Sequence, residues 1–290
     1  MKPFEYVAAG SLAEAVSHLD SAGPAARPLA GGTDLLPQMR YFRAHPPLVV
    51  DVKRIPELRQ LSCVGEGLHI GAAVPLADIA AHPDVTRLYP AIAYSCSLVG
   101  SVQIRSRATL GGNLCNAAPS ADTVPGLICL GAHAVVTGPA GRREIPVEEF
   151  NTDPGKTVLG TGELLVEVVV PPPPDRSAVS YLRFTPRQEM DIAVTGVASL
   201  LKFSEGGMVY QARIVMAAVG PTHLRARRAE GVLEGQRPTA ELVSRAAEEA
   251  AGECQPISDV RASADYRRHL VGVLAGRTLL KSAEAQGIRV

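Results

Sequence analysis

The stretch TLGGNLCNAAPSADTVP, Thr109 to Pro125, constrains this chain more than any other part of it. It has no apolar alternation and no 3.6-residue stripe, and Asp122 is its one charged side chain. A loop kept only for solubility carries Lys and Glu. An ordinary core strand is not interrupted by Gly-Gly and by prolines that cannot donate to a ladder. The segment therefore reads as backbone arranged to hold something. A second glycine pair, Gly31-Gly32, followed by Thr33 and Asp34, closes the segment ARPLAGG and opens DLLPQMR. Glycine admits left-handed backbone and lets a ligand come close to its N–H group. Successive N–H groups in one concavity bind phosphate oxygens without a basic side chain. Two such loops can clamp a ligand with two phosphates, such as a dinucleotide. A tight turn at each pair is the competing reading from spacing alone.

Composition narrows the classes. The chain has 290 residues, 46% hydrophobic and 20% charged, with Lys plus Arg equal to Asp plus Glu at 29 each. That balance gives no field for nucleic acid or an anionic membrane surface. No apolar run approaches the ~20 residues of a bilayer span, and MKPFEYVAAG is not a signal peptide in its pattern. The five cysteines, Cys63, Cys96, Cys115, Cys129 and Cys254, form no C-x-x-C pair and no cluster for a metal or iron–sulfur centre. Their odd number suits a reducing compartment, and cytoplasm is the expected location.

Along the chain, FEYVAA reads as a strand, and SLAEAVSHLDSAG as a helix with Ser11 and Glu14 at capping-box spacing. ARPLAGG and PPLVVDVK read as two further strands, giving a βαβ unit over 1–52. Residues 53–175 read as a mainly antiparallel sheet with helices. They begin with a hairpin turned at Gly65 and Gly67, followed by two helical pieces broken near Pro83, then strands at HAVVTG, REIPVEEF and ELLVEVVVP. The run Pro171–Pro174 marks a linker or edge. Residues 176–290 read as three strands and two helices, forming a sheet with helices on one face. Thr239 caps the first helix, and Tyr266, Leu270, Val273, Arg277 and Leu280 form the stripe of the second.

Taken together, LAGGTDLLPQMR, QIRSRATLGGNLCNAAPSADTVP and YLRFTPRQEMDIAVTGVA resemble the FAD-binding medium subunit of the molybdenum hydroxylases. That group includes xanthine dehydrogenase, aerobic-type carbon monoxide dehydrogenase and 4-hydroxybenzoyl-CoA reductase. The three segments occur in the family's order, and RASADYRRHLVGVLAGRTL also fits. The resemblance implies an α+β chain: a two-part FAD-binding fold of the vanillyl-alcohol-oxidase (PCMH) type, plus a C-terminal domain like that of carbon monoxide dehydrogenase flavoproteins. It also implies the contacts. Pro28, Leu29, Ala30, Gly31, Gly32, Thr33, Asp34 and Leu35 would form the first phosphate loop. Thr109, Leu110, Gly111, Gly112 and Asn113 would form the second. Val99, Asp122, Leu165 and Arg183 fall on further FAD positions, and many relatives carry Lys at the last. Local roles compete with this for two of them: Asp34 and Asp122 are also placed to cap helices.

The implied activity is electron transfer. A large subunit with a molybdenum–pterin cofactor would hydroxylate substrate, and a small subunit with two [2Fe–2S] clusters would relay electrons. Non-covalent FAD on this chain would pass them to NAD, O2, a quinone or another acceptor. The expected assembly is a dimer of heterotrimers, with no catalytic acid, base or nucleophile on this chain. A cysteine-rich insertion that marks the 4-hydroxybenzoyl-CoA reductase branch is missing from the sequence. Two other classes compete: a free-standing FAD-dependent oxidase of a small alcohol or amine, and a non-enzymatic FAD-dependent scaffold.

Overall fold

A computed structural model describes residues 1–65 and 67–290. The first unit is built as the sequence predicts. Strand β1 (Glu5–Ala8) leads into helix α1 (Leu12–Ala22). Ser11 Oγ accepts the Glu14 N–H at 3.2 Å, and Glu14 Oε2 accepts the Gly10 N–H at 2.7 Å, so the helix start satisfies its own orphan donors. Strand β2 (Arg27–Leu29), helix α2 (Leu35–Arg40) and strand β3 (Leu48–Asp51) complete it. The three strands form a parallel sheet in the order β1-β3-β2.

The middle unit starts with hairpin strands β4 (Leu61–Val64) and β5 (Gly67–Gly71), whose predicted turn includes Glu66, outside the described residues. Three helices follow rather than two: α3 (Leu76–Ala81), α4 (Pro83–Leu88) and α5 (Pro90–Ser97). The additional break has the same cause as the predicted one. Pro90 occupies a first helical position, where its missing N–H costs nothing. Then come α6 (Val102–Arg105), α7 (Leu110–Cys115) and α8 (Val124–Leu130). Strands β6 (His133–Gly138) and β7 (Gly141–Pro146) form a hairpin; VEEF, expected to extend the second strand, is instead the helical turn α9 (Val147–Phe150) behind Pro146. A small pair, β8 (Asn151–Asp153) and β9 (Lys156–Thr157), precedes β10 (Leu164–Val170). The five long strands make an antiparallel sheet in the order β4-β5-β10-β6-β7.

The last unit is an antiparallel sheet of β11 (Ser177–Phe184), β12 (Thr195–Phe203), β13 (Val209–Ala217) and the short β14 (Leu224–Arg225), in sequence order. Helix α10 (Arg227–Leu233), not anticipated, precedes the two expected ones, α11 (Ala240–Glu253) and α12 (Ala264–Glu284). Thr239 caps α11 as predicted, its Oγ1 accepting the Leu242 N–H at 3.2 Å. The buried face of α12 is one residue out of phase with the predicted stripe: Arg267, Leu270, Val271, Leu274, Ala275, Thr278, Leu279, Ser282 and Ala283 are inside, while Tyr266 and Arg277 are exposed.

This sheet divides two cores by strand alternation. Leu182, Phe184, Val197, Leu201, Ile214 and Met216 face α10, α11 and α12. Tyr181, Ala198, Leu200 and Val215 join the core of the first two units. The second face is thus not solvated. It is covered by α8, whose seven residues are all buried, as expected of a helix apolar all round.

Candidate functional site

Both glycine segments come to the same place. Gly31 lies against the backbone of Arg107 and Ala108, the two residues before Thr109. A Cβ added at Gly31 would fall 2.9 Å from Ala108 Cα and closer still to the Arg107 carbonyl oxygen. The second loop is pressed against β5's continuation in the same way, since a Cβ at Gly111 would lie 2.6 Å from Ala72 Cβ. Thr109 pairs with Pro75 across the intervening bridge, and Ala108 O accepts the Leu76 N–H at 2.8 Å. One glycine in each pair therefore serves close packing, and its partner lies nearer solvent: Gly32 is half-buried and Gly112 exposed.

The two loops use different conformations. Gly32 has φ +76°, the left-handed backbone expected of a phosphate loop. Gly111 and Gly112 instead lie inside α7, capped by Thr109, whose Oγ1 accepts the Gly112 N–H at 3.0 Å. The expected left-handed pair is there a helical turn. Periodicity gave no sign of it because six residues are too few to show a stripe, and two of them are Gly.

The residues fit a dinucleotide's phosphates. Among the described residues, the backbone N–H groups of Gly31, Gly32, Thr33, Asp34 and Leu35 have no acceptor within the chain. Five consecutive free donors beside a backbone too tight for a Cβ form the kind of surface that an external anion satisfies. Asp34 precedes α2 but makes no capping bond, and partial burial raises its carboxyl pKa. Pro28 and Leu29 belong to β2, with Leu29 O accepting the Val52 N–H at 3.1 Å.

A buried polar cluster surrounds Asp122. Asp122, 6% exposed, gives one carboxylate oxygen to the Tyr181 hydroxyl at 2.6 Å and the other to Arg183 Nη1. Arg183 Nη2 donates to Leu98 O at 2.9 Å, and Arg105 Nη1 donates to Val99 O at 3.3 Å and Gly100 O at 3.2 Å. The Val99 loop, the Asp122 bend and β11 are thereby tied together. Burial pushes the Asp122 carboxyl up, against the pull of Arg183 and Tyr181, and holds the Tyr181 phenol well above its usual value. Asp122 is therefore no helix cap: it bonds side chains of β11, and α8 starts without a side-chain cap. Thr123 Oγ1 donates to Asn113 Oδ1 at 2.7 Å, joining the bend to the second loop. Leu165 stands in the core of β10, the strand on which α7 packs, at 2% exposure.

Two participants had no expected role. Tyr181 is two residues from Arg183 on one strand, so strand alternation alone places both on one face. His223, 7% exposed, donates from Nε2 to Ala121 O at 3.0 Å; burial lowers its pKa to about 4, so the ring is neutral. Nothing near His223 in the sequence marks it. Cys115, in α7, is half-buried, and burial pushes its thiol up to about 12.

Fold and site together define a flavin-binding α+β protein of the PCMH type with an added C-terminal sheet-and-helix unit. The family described as the FAD binding domain in molybdopterin dehydrogenase matches residues 2–173, and the carbon monoxide dehydrogenase flavoprotein C-terminal domain matches residues 180–282. The chain belongs to this family of flavoprotein subunits of molybdenum-containing oxidoreductases. It is 36% identical to the carbon monoxide dehydrogenase medium chain of Hydrogenophaga pseudoflava, over 95% of this chain and 96% of that one. It is 30% identical to a xanthine dehydrogenase FAD-binding subunit of Escherichia coli, over 97% of each. Among solved structures, carbon monoxide dehydrogenase from Hydrogenophaga pseudoflava superposes with a TM-score of 0.93 at 36% identity, over 99% of both chains. Quinoline 2-oxidoreductase from Pseudomonas putida gives 0.92 at 31% identity, over 99% of both. Among the described residues, no helix is long and apolar enough to cross a membrane.

Proposed function

We propose that this chain is the electron-transfer subunit of a cytoplasmic heterotrimer, assembled as a dimer of heterotrimers with a molybdopterin-binding large subunit and a [2Fe–2S] small subunit. Its FAD is held non-covalently and receives electrons from the small subunit. NAD, O2, a quinone or another acceptor then removes them. When bound, FAD supplies redox chemistry in one-electron and two-electron steps. The chain's own residues bind and orient it. The free N–H groups from Gly31 to Leu35 hold one side of the pyrophosphate, and the Thr109–Asn113 turn holds the other. Asp122 and Arg183 close the site near Val99 and Leu165. Residues 1–52 and 53–175 act as the two FAD-binding parts, and 176–290 as the domain docked on them.

The observation that carries this reading is the convergence of the two glycine loops, Gly31 packed on the residue pair that precedes Thr109. FAD loading of the purified chain, followed by denaturation and filtration, tests the non-covalent part. About one flavin per chain is expected, all of it passing the filter; flavin retained on the unfolded polypeptide contradicts it.

A further inference from the structure

We infer that Tyr181 is a positioning residue for FAD, acting through Asp122, so that the C-terminal sheet completes the cofactor site. This rests on the reading that residues 109–122 border FAD. The Tyr181 hydroxyl is 2.6 Å from Asp122 Oδ1, and both groups are almost fully buried, at 3% and 6% exposure. With the phenol protonated, the hydroxyl donates and Asp122 is held as an acceptor. Arg183 takes the remaining oxygen and reaches on to Leu98 O, so the carboxylate can turn neither way.

The neighbouring strand is shaped around this arrangement. Gly196 is the partner of Arg183 in the β11–β12 ladder. A Cβ at Gly196 would lie 3.2 Å from Tyr181 Cζ and still closer to the hydroxyl oxygen. Glycine there leaves the path by which the phenol crosses β12 to reach the bend. Two further bonds anchor the same bend to the same unit: His223 Nε2 to Ala121 O at 3.0 Å, and the Ala218 N–H to Pro119 O at 2.7 Å. Four ties from one unit reach the bend, at Pro119, Ala121 and both oxygens of Asp122. They fix the height and tilt of a segment whose other end is the phosphate turn.

The test uses the full-length chain loaded with FAD. Tyr181→Phe removes only the hydroxyl, and Gly196→Ala displaces the hydroxyl while leaving it in the molecule. Both variants should weaken FAD binding by about tenfold or more, as expected when a buried charged acceptor loses its donor. Both should also shift the flavin midpoint potential to more negative values, because Asp122 keeps its charge with less compensation beside the cofactor. Adding Tyr181→Phe to Asp122→Asn should then change the potential little. Thermal melting of the FAD-free forms separates a general loss of stability from this effect. If both single variants bind FAD with wild-type affinity and potential, the inference is overturned while the FAD reading stands. If the wild-type chain itself takes up no FAD, both fall.

Discussion

Gly31 and Arg107 touch backbone to backbone: no β-carbon fits between the α-carbon of the first and the carbonyl oxygen of the second. This contact places the end of β2 against the start of the second loop, so the two loops proposed to hold FAD share one wall. Neither side of the contact is a flexible side chain that could move aside. Gly31→Ala should therefore separate the loops, lowering stability by about 1–3 kcal/mol as overpacking does. It should also remove bound flavin. Melting temperature and flavin-to-protein ratio measure both effects, and a Gly31→Ala variant that kept both would show that the loops are independent turns.

Gly32 and Gly112 should respond differently to an added side chain. Gly32 sits at φ +76°, so Gly32→Val is strained in backbone whatever the space around it. Gly112 is helical, and its added Cβ would meet only Thr109 Oγ1, at 2.9 Å. Gly112→Ala should lose the Thr109 cap and some FAD affinity while folding normally, since Ala is favoured in a helix. Gly32→Val should lose flavin and stability together. Equal losses in the two variants, read by melting and flavin titration, would refute the helical assignment of the second loop.

Much of this fold was legible from local chemistry, and the parts that were not have definite causes. The caps at Ser11 and Thr239 announced their helices because a side-chain oxygen three residues before a free N–H is a local signal. The phase of α12 was missed because its inner face carries polar groups satisfied from a distance. Arg267 donates to the carbonyls of Val194 and Ala218 and to Asp259, Thr278 meets Ser199 at 2.7 Å, and Ser282 donates to Ser199 O at 3.0 Å. A hydrophobic stripe cannot show such residues. The left-handed turn at Gly32 was legible from its glycine pair, but the helical turn at Gly111-Gly112 was not. Spacing puts Tyr181 on the same strand face as Arg183, but its bond to Asp122, like that of His223 to Ala121 O, depends on tertiary contacts that no spacing encodes.

His223 makes stability depend on pH. Its pKa falls from 6.5 to about 4 on folding, through burial, so the folded protein favours the neutral ring. Between these values the unfolded chain binds the proton and the folded chain does not, so stability rises with pH across that window. The contribution is intact above pH 6.5 and is lost as pH falls toward 4, by roughly 3 kcal/mol in all. Denaturant unfolding at a series of pH values should show this slope, and His223→Gln, which retains a donor for Ala121 O, should flatten it. An unchanged slope in that variant would place the titration elsewhere.

The proposed role requires that this chain carry electrons through FAD and oxidise no organic substrate by itself. The direct measurement is anaerobic bleaching of the flavin absorbance on adding candidate purines, aldehydes and N-heterocycles, first to the FAD-loaded chain alone and then to the chain co-expressed with its two partner subunits. Bleaching by strong chemical reductants is expected in both samples, and bleaching by the complex's own substrate only when the partners are present. Turnover of an organic substrate by the isolated chain, free of molybdenum and iron, at about 1 s⁻¹ or faster would contradict it and leave a free-standing oxidase in its place.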